Sequence, residues 1–400
     1  MRKAIALLLT LCLLCTGLMG CAAQEPAPEA EPSPSPSAEP EALPSQEPIV
    51  IPTVDYESLY ALHEPEELVM TIDGNDIHWN DYFYMLVTAC EEMAYQFNTM
   101  ASYYGIAVNW DDPIGEDPEQ TYASLIPATV ESNLHQLMTI KGFAAENKVE
   151  LSSESKEGIA AQLEAAIANY GGEEGSEEAF NAYLESNWLP RSLYDEINRI
   201  NYLYQDGFRQ TYGADAERVS DADALAWLEE GGYMACDHIL LMTIDSSTGE
   251  SLEEAKVQEI QKKAEELAQE LAAIEDREEL LKRFRELKDE YTEDTGAAHY
   301  PDGYTFTTGK MVPEFENGCR ELEEYQVSDP IQSSYGYHII LRLPLDPDGI
   351  IEFSSQGTPL NARKLSANQA YGDALAAYAQ KVKISPAEGF EVPNILDYLQ

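Results

Sequence analysis

Apolar residues recur at every third or fourth position through most of the first half of the chain. One stripe runs from Tyr82 to Met100 after a short β-type stretch with an Asp-Gly turn, and Asn80 is its expected N-cap. Such spacing puts the apolar side chains on one helix face, which predicts amphipathic helices. Ser220, with Asp223 three residues on, predicts the start of another helix. The remaining stripes predict helices over roughly 127–147, 159–170, 180–184 and 193–204.

The pattern changes at Tyr233. Residues 234–241 are strand-like, a long charged helix is predicted over about 252–274, and Asp276 with Glu279 predicts that a helix restarts there. A short helix at 312–322 precedes a β-branched strand at 337–343, which Pro344 ends. Two strands that enclose these helices and meet at their ends predict a compact α+β unit.

These patterns divide the chain into consecutive regions. Residues 56–232 are predicted to form a mainly helical domain, and residues 233–345 a self-contained module of strands and helices. Residues 346–400 are loop-like and then helical over about 366–382, which predicts a C-terminal helix that packs on the N-terminal domain. The predicted fold class is α+β, with the module inserted into, or following, the helical domain.

The first residues have the features of a targeting segment. Arg2 and Lys3 precede an apolar run at 4–14, and Leu-Met-Gly-Cys follows at 18–21. A charged start, a short apolar run and a small-residue cleavage point are typical of a secretory signal. The four residues resemble the lipobox of bacterial lipoproteins, which implies a signal peptide at 1–20 and a lipidated Cys21. An ordinary signal peptide with a chance cysteine, or an uncleaved anchor, stays open as the alternative.

A segment rich in Pro, Glu, Ala and Ser follows over residues 21–55. It has too little apolar surface to fold, and its prolines favour an extended spacer, so we expect a disordered tether. Beyond it only Cys90, Cys236 and Cys319 remain. Three cysteines without a CxxC pair predict neither a disulfide framework nor a zinc site. We expect buried thiols, and a bridge between Cys236 and Cys319 stays open in an oxidising compartment.

Charge excludes some classes of partner. The 400 residues include 73 acidic and 24 basic side chains, a formal net charge of −49. A surface this negative repels phosphate backbones, because nucleic-acid affinity comes mainly from Lys and Arg. It also argues against binding anionic lipid through a polybasic face. The sequence therefore predicts no nucleic-acid partner and membrane contact only through lipid at Cys21.

Three short motifs carry a resemblance to a known family. They are DHILL at 237–241, GKMVPEF at 309–315, and VSDPI at 327–331 leading into YGYHII at 335–340. In order and spacing they resemble the parvulin family of peptidyl-prolyl isomerases. The whole chain resembles the PrsA and SurA type of extracytoplasmic foldase, which implies a parvulin-like α/β module flanked by a mainly helical chaperone domain that the C-terminal helix completes.

The resemblance implies a role for each matching residue. The family's paired strand histidines fall on His238 and His338, and its cysteine or aspartate position falls on Asp294. The proline pocket falls on three apolar residues, of which Met311 and Phe315 are expected four apart on one helix face: Phe306, Met311 and Phe315. No cofactor or metal is implied. Rotation about an X-Pro bond meets a barrier of about 18–20 kcal/mol, which a preorganised apolar pocket lowers without covalent chemistry.

The chain also departs from the family pattern. Residues 301–305 replace a glycine-rich loop, Arg320 stands at an aromatic position, and Tyr325 replaces a turn glycine. The alternative function is therefore a holding chaperone with a weak or inactive module, in which the histidines are structural and Met311 and Phe315 are core. The expected partners are unfolded or newly secreted polypeptides with X-Pro bonds outside the cytoplasmic membrane, and a homodimer stays open.

Overall fold

A computed structural model describes residues 50–115, 117–172 and 175–400. The signal peptide, Cys21 and most of the tether lie outside these residues. The helices are α1 (Tyr56–Tyr60), α2 (Trp79–Thr99), α3 (Tyr122–Glu146), α4 (Ser153–Tyr170), α5 (Glu177–Ser186), α6 (Arg191–Tyr212), α7 (Asp221–Glu230), α8 (Glu254–Ala272), α9 (Arg277–Tyr291), α10 (Pro313–Glu321) and α11 (Ala362–Ala379). The strands are β1 (Leu68–Ile72), β2 (Asn75–His78), β3 (Pro113–Ile114), β4 (Asp117–Thr121), β5 (Met234–Met242), β6 (Tyr304–Phe306), β7 (Ile331–Gln332), β8 (Gly336–Leu343), β9 (Glu352–Phe353), β10 (Pro359–Leu360) and β11 (Ile384–Pro386).

The chain forms two compact units. The first comprises the described residues up to Gly207 together with Leu375–Gln400, and the second is the continuous stretch Phe208–Ala374. The predicted boundaries at 233 and 345 both fall inside the second unit. In the described part of the chain no helix combines the length and apolar character needed to cross a membrane.

The first unit is mainly helical and includes a small antiparallel sheet in the order β11-β1-β2. The expected Asp-Gly turn joins β1 to β2, with positive φ at both Asp73 (49°) and Gly74 (76°), as tight hairpin turns require. Apolar stripes of the helices bury a core rich in aromatic residues, including Trp79, Phe83 and Phe97. The long predicted helices are therefore present, and the C-terminal β11 completes the sheet.

Two predicted helix starts are wrong, that of α2 by two residues and that of α3 by five. α2 begins at Trp79 with His78 as N-cap, because the strand β2 runs directly into the helix, so Asn80 lies inside it. α3 begins at Tyr122, five residues before the predicted start, because Thr121 and Ser124 form a reciprocal capping box. The caps predicted at Ser220 and Asp276 are confirmed, since both side chains accept a backbone N–H three residues on.

The second unit is built on a four-stranded antiparallel sheet in the order β6-β5-β8-β7. Helices α8 and α9 bury their apolar faces against one side, on alternate residues such as Ile239, Leu241 and Ile339. Helix α10 packs against the other side, on Cys236 and Ile340. Because side chains alternate between the two faces of a strand, the residues between those that contact α8 and α9 point toward α10.

Candidate functional site

Two histidines face each other across the central strand pair. His238 on β5 and His338 on β8 point to the α10 side of the sheet, and their Nδ1 atoms are 3.2 Å apart. Both are buried, with 6% and 3% of their surface exposed. The pairing of the two strands thus confirms that the two predicted histidines meet.

Asp294 lies directly after α9, where it caps a short 3₁₀ helix, Thr295–Ala298. Its Oδ2 accepts hydrogen bonds from His238 Nε2 at 2.9 Å and from Tyr304 Oη at 2.5 Å, and its Oδ1 accepts from Gly296 N at 2.9 Å. Burial alone would raise the pKa of Asp294, but these three donors outweigh it and hold the pKa well below its usual range. Asp294 is therefore a carboxylate.

The carboxylate orients a chain of hydrogen bonds. Ser333 Oγ is 2.7 Å from His338 Nε2 and accepts from Tyr335 N at 3.1 Å. Burial, followed by repulsion from His238, lowers the pKa of His338 to about 3, so its ring is neutral. One arrangement of the protons gives each of them an acceptor: Ser333 donates to His338 Nε2, His338 Nδ1 to His238 Nδ1, and His238 Nε2 to Asp294.

An apolar wall stands beside this polar chain in one cavity of about 950 Å³. The Phe315 ring meets His238 edge to face, with centroids 4.9 Å apart, and lies 5.4 Å from His338. Met311 and Val312 line the same cavity, as do Leu240 on β5 and Ile260 on α8. The cavity therefore combines an apolar wall, which suits a prolyl ring, with one oriented carboxylate.

Two expectations about this wall need correction. Met311 does not share a helix face with Phe315, because α10 begins only at Pro313, after the N-cap Val312. Phe306 is buried and does not line the cavity. It packs behind Phe315, with the two ring centroids 5.8 Å apart. It supports the wall from the core side. The other predicted residues, His238, Asp294, Met311, Phe315 and His338, all line the cavity.

A buried ion pair lies on the opposite face of β5. Lys288 Nζ is 2.7 Å from Asp237 Oδ1 and also donates to Pro301 O at 3.1 Å. Burial raises the pKa of Asp237, and the contacts with Lys288 and the backbone N–H of His238 only partly offset this. The pair ties α9 and the start of the altered 301–305 loop to the strand that carries His238.

The departures from the family pattern have local explanations. Arg320 pairs with Glu316 at 2.7 Å and also donates to Thr308 at 3.1 Å, so it bridges α10 and the loop before it. Tyr325 keeps the left-handed conformation of the glycine that it replaces, with φ of 65°. Its ring lies under the Arg277 guanidinium at 4.7 Å.

Cys90, Cys236 and Cys319 are free and buried, so the Cys236–Cys319 bridge is not formed. Cys319 Sγ accepts from Arg342 Nη1 at 3.3 Å. The thiol contact with Cys236, opposed by burial and aided by Arg342, lowers the pKa of Cys319 to about 7. Within residues 50–115, 117–172 and 175–400, no group of three or more His, Cys, Asp and Glu side chains could hold a metal ion.

Sequence reasoning missed two members of the polar chain. Ser333 has no motif of its own, but the β7–β8 hairpin places it beside His338, so a hydroxyl five residues before the strand histidine was the available signal. Tyr304 stood out only as a departure from the family loop. Its hydroxyl in fact reaches the Asp294 carboxylate.

Comparison with known proteins gives consistent matches. A protein-family model described as Rotamase, PPIC-type PPIASE domain, matches residues 238–343. The chain is 31% identical over 244 residues to a foldase protein PrsA of Oceanobacillus iheyensis, a match that covers 58% of this chain and 69% of that relative. A foldase protein PrsA 1 of Bacillus cereus is 49% identical over 61 residues, 15% of this chain and 21% of the relative. The crystal structure of PrsA from Bacillus subtilis aligns with 80% of this chain and 92% of its own, at 19% identity and a TM-score of 0.24.

Proposed function

This chain belongs to the PrsA family of foldases and is a parvulin-type peptidyl-prolyl cis–trans isomerase, and we propose that it lowers the barrier to X-Pro rotation without covalent chemistry. The observation that carries the proposal is that the Phe315 wall and the Asp294 carboxylate line the same cavity. The wall receives the prolyl ring, and the carboxylate stands at the rotating amide.

The mechanism follows from what rotation requires. Twisting an X-Pro bond breaks amide resonance, so the nitrogen becomes pyramidal and the C–N bond becomes a single bond that can rotate. Met311 and Phe315 hold the ring while the residue before proline rotates. Asp294, already oriented by His238, offers a fixed negative charge that does not reorganise during the step, and such preorganised groups act strongly in a site that excludes water. No proton leaves the substrate.

The histidines act by positioning. His238 Nε2 holds the carboxylate at 2.9 Å, and His338 fixes the tautomer of His238 from behind. The neutral His338 ring can do both tasks, because its Nε2 accepts from Ser333 while its Nδ1–H donates to His238. We therefore assign Asp294 to the amide, and His238 and His338 to the support of Asp294.

The location belongs to the same proposal. The lipobox-like residues 18–21 and the Pro-rich segment 21–55 support a lipid anchor at Cys21 and a position outside the cytoplasmic membrane. The clients are unfolded or newly secreted polypeptides with X-Pro bonds. The net charge of −49 favours basic or neutral clients. Weakening of client binding by added salt tests that preference.

A protease-coupled proline isomerisation assay tests the catalytic proposal. Asp294→Asn is expected to lose about tenfold or more in kcat/KM, since a hydrogen-bonded charge is worth about 1.5–3 kcal/mol. Met311→Ala is expected to raise KM. Asp289→Asn, an exposed carboxylate on α9, is the matched control. Unchanged rates in both Asp294→Asn and Met311→Ala would refute the assigned site.

A holding chaperone is the second candidate function, favoured by exposed aromatic residues of the first unit. Tyr95, Tyr103 and Tyr104 are 73%, 83% and 73% exposed, near the end of α2. Large exposed apolar side chains close together often bind other chains. If holding is independent of isomerisation, Asp294→Asn will still suppress aggregation of a denatured client, whereas serine at all three tyrosines will not. Light scattering of the same samples measures whether the chain forms the homodimer.

A further inference from the structure

Tyr304 is delivered to the site by a close approach of backbone. It opens β6 and pairs with Cys236 on β5, two residues before His238. The preceding residue, Gly303, has φ of +96°, and a Cβ there would lie 2.7 Å from the carbonyl oxygen of Cys236. Only glycine fits both conditions, so the altered loop is built to place Tyr304 against the histidine strand.

The Tyr304 hydroxyl contacts the site directly. Its Oη is 2.5 Å from Asp294 Oδ2, the same oxygen that accepts from His238 Nε2 at 2.9 Å. The Tyr304 ring meets His238 edge to face at 5.6 Å and lines the cavity. Burial, followed by the bond to Asp294, raises the pKa of Tyr304 above its usual value, so the hydroxyl keeps its proton and donates.

We propose that Tyr304 is a positioning residue of this isomerase, which together with His238 holds the Asp294 carboxylate charged and aimed into the cavity. The inference rests on the proposed role of Asp294. Two donors on one oxygen prevent the carboxylate from rotating toward solvent. They fix the position of the negative charge, so that it is the same with and without bound substrate.

The other titratable groups around Asp294 do not replace this bond. His238 and His338 face it from β5 and β8, Glu293 is its chain neighbour, and Lys310 lines the same cavity from the loop before α10. Glu293 Oε2 is engaged with Met242 N at 2.6 Å. Loss of the Tyr304 hydroxyl therefore removes one of three hydrogen bonds to the carboxylate, and the pKa of Asp294 must rise.

The test compares Tyr304→Phe with the wild type in the full-length protein. We expect about a tenfold loss of kcat/KM at pH 7, and an acid limb of the rate profile that moves upward by about one pH unit, because the lost hydrogen bond stabilises the charged carboxylate. Tyr300→Phe is the matched control. The Tyr300 ring packs against Tyr304, with centroids 4.7 Å apart, and does not form a hydrogen bond with Asp294. It should keep the wild-type profile.

A double variant separates positioning from packing. If Tyr304 acts through Asp294, the loss in Tyr304→Phe/Asp294→Asn will be no larger than in Asp294→Asn alone. Additive losses, or a wild-type profile in folded Tyr304→Phe, would overturn the inference. If Tyr304→Phe does not fold, ¹³C titration of the aspartate carboxyls in the wild type decides instead, and an Asp294 that titrates near its ordinary pKa overturns the inference.

The outcomes also distinguish this inference from the proposed function. Normal Tyr304→Phe with an impaired Asp294→Asn sinks only the role of Tyr304. Normal activity in both variants sinks the assigned role of Asp294 itself.

Discussion

His338 makes the stability of the second unit depend on pH. Its pKa falls from an ordinary 6.5 to about 3 on folding, first through burial and then through repulsion from His238. Between these two values the unfolded chain binds a proton at this ring and the folded chain does not. The free energy of unfolding of this unit is therefore not reduced by His338 above pH 6.5, and it decreases as the pH falls toward 3.

The size of the effect follows from linkage. Each pH unit in this window is worth about 1.4 kcal/mol. At pH 5, which is 1.5 units below the ordinary histidine value, His338 should have cost the unit about 2 kcal/mol relative to pH 8. Asp294 lowers the free energy of unfolding only at lower pH. Its pKa is depressed in the folded chain, so the unfolded chain binds this proton first as the pH falls through the ordinary carboxylate range.

The variant His338→Gln isolates this contribution. It removes the titrating ring and keeps an amide that can bond Ser333 or His238. We expect lower stability than the wild type at pH 8, but a loss between pH 8 and pH 5 that is smaller by about 2 kcal/mol. The histidines outside the His238–His338 pair are present in both proteins and cancel in the comparison.

Urea unfolding at pH 5, 6, 7 and 8, read by hydrogen exchange of the peptide that contains β8, gives the stability of this unit apart from the helical one. His135→Gln, in the first unit, is the control and should leave the β8 signal unchanged. Parallel pH dependences for the wild type and His338→Gln would refute the reasoning, since the ring would then titrate alike in the folded and unfolded chain.

Three further outcomes are expected. Lys288→Met should destabilise the second unit by about 3–5 kcal/mol in urea titration by leaving Asp237 buried without its partner, and Asp237→Asn in the same chain should recover part of the loss; no recovery would contradict the ion-pair argument. Tyr325→Gly should raise the unfolding free energy by about 1 kcal/mol in urea titration through relief of a left-handed backbone; a lower unfolding free energy would contradict this and show that the contact with Arg277 outweighs the strain. Mass spectrometry after treatment with a bulky alkylating reagent should find no label in the native chain and full label after denaturation at three positions: Cys90, Cys236 and Cys319.

Motifs with their own spacing predicted most of the site. His238 and His338 lie in strongly apolar strand patterns, and the resemblance identified them as a pair, so their meeting across β5 and β8 could be predicted without three-dimensional information. Phe315 could be predicted from the sequence equally well, because its helix has a clear apolar stripe. These residues depend on local pattern, which sequence carries well.

The residues that sequence reasoning misplaced depend on tertiary structure. Met311 lies outside the helix because α10 begins at Pro313, after the N-cap Val312, one residue later than the predicted start. Phe306 was assigned to the cavity, yet it packs behind the Phe315 ring in the core. Tyr304 reaches Asp294 only through the close approach at Gly303, which no periodicity indicates.

The return of the chain to its own beginning sets an order for folding. Strand β11 pairs with β1 more than three hundred residues earlier, with Thr71 opposite Ser385, and Val54 bridges to Leu399. The second unit, Phe208–Ala374, is continuous in sequence. During synthesis the isomerase unit can therefore complete its sheet while the helical unit still lacks its last strand, since segments far apart in sequence must wait for each other. A chain that stops before β11 would thus have a folded isomerase unit, whereas the sheet of the helical unit would lack β11 and expose the edge of β1.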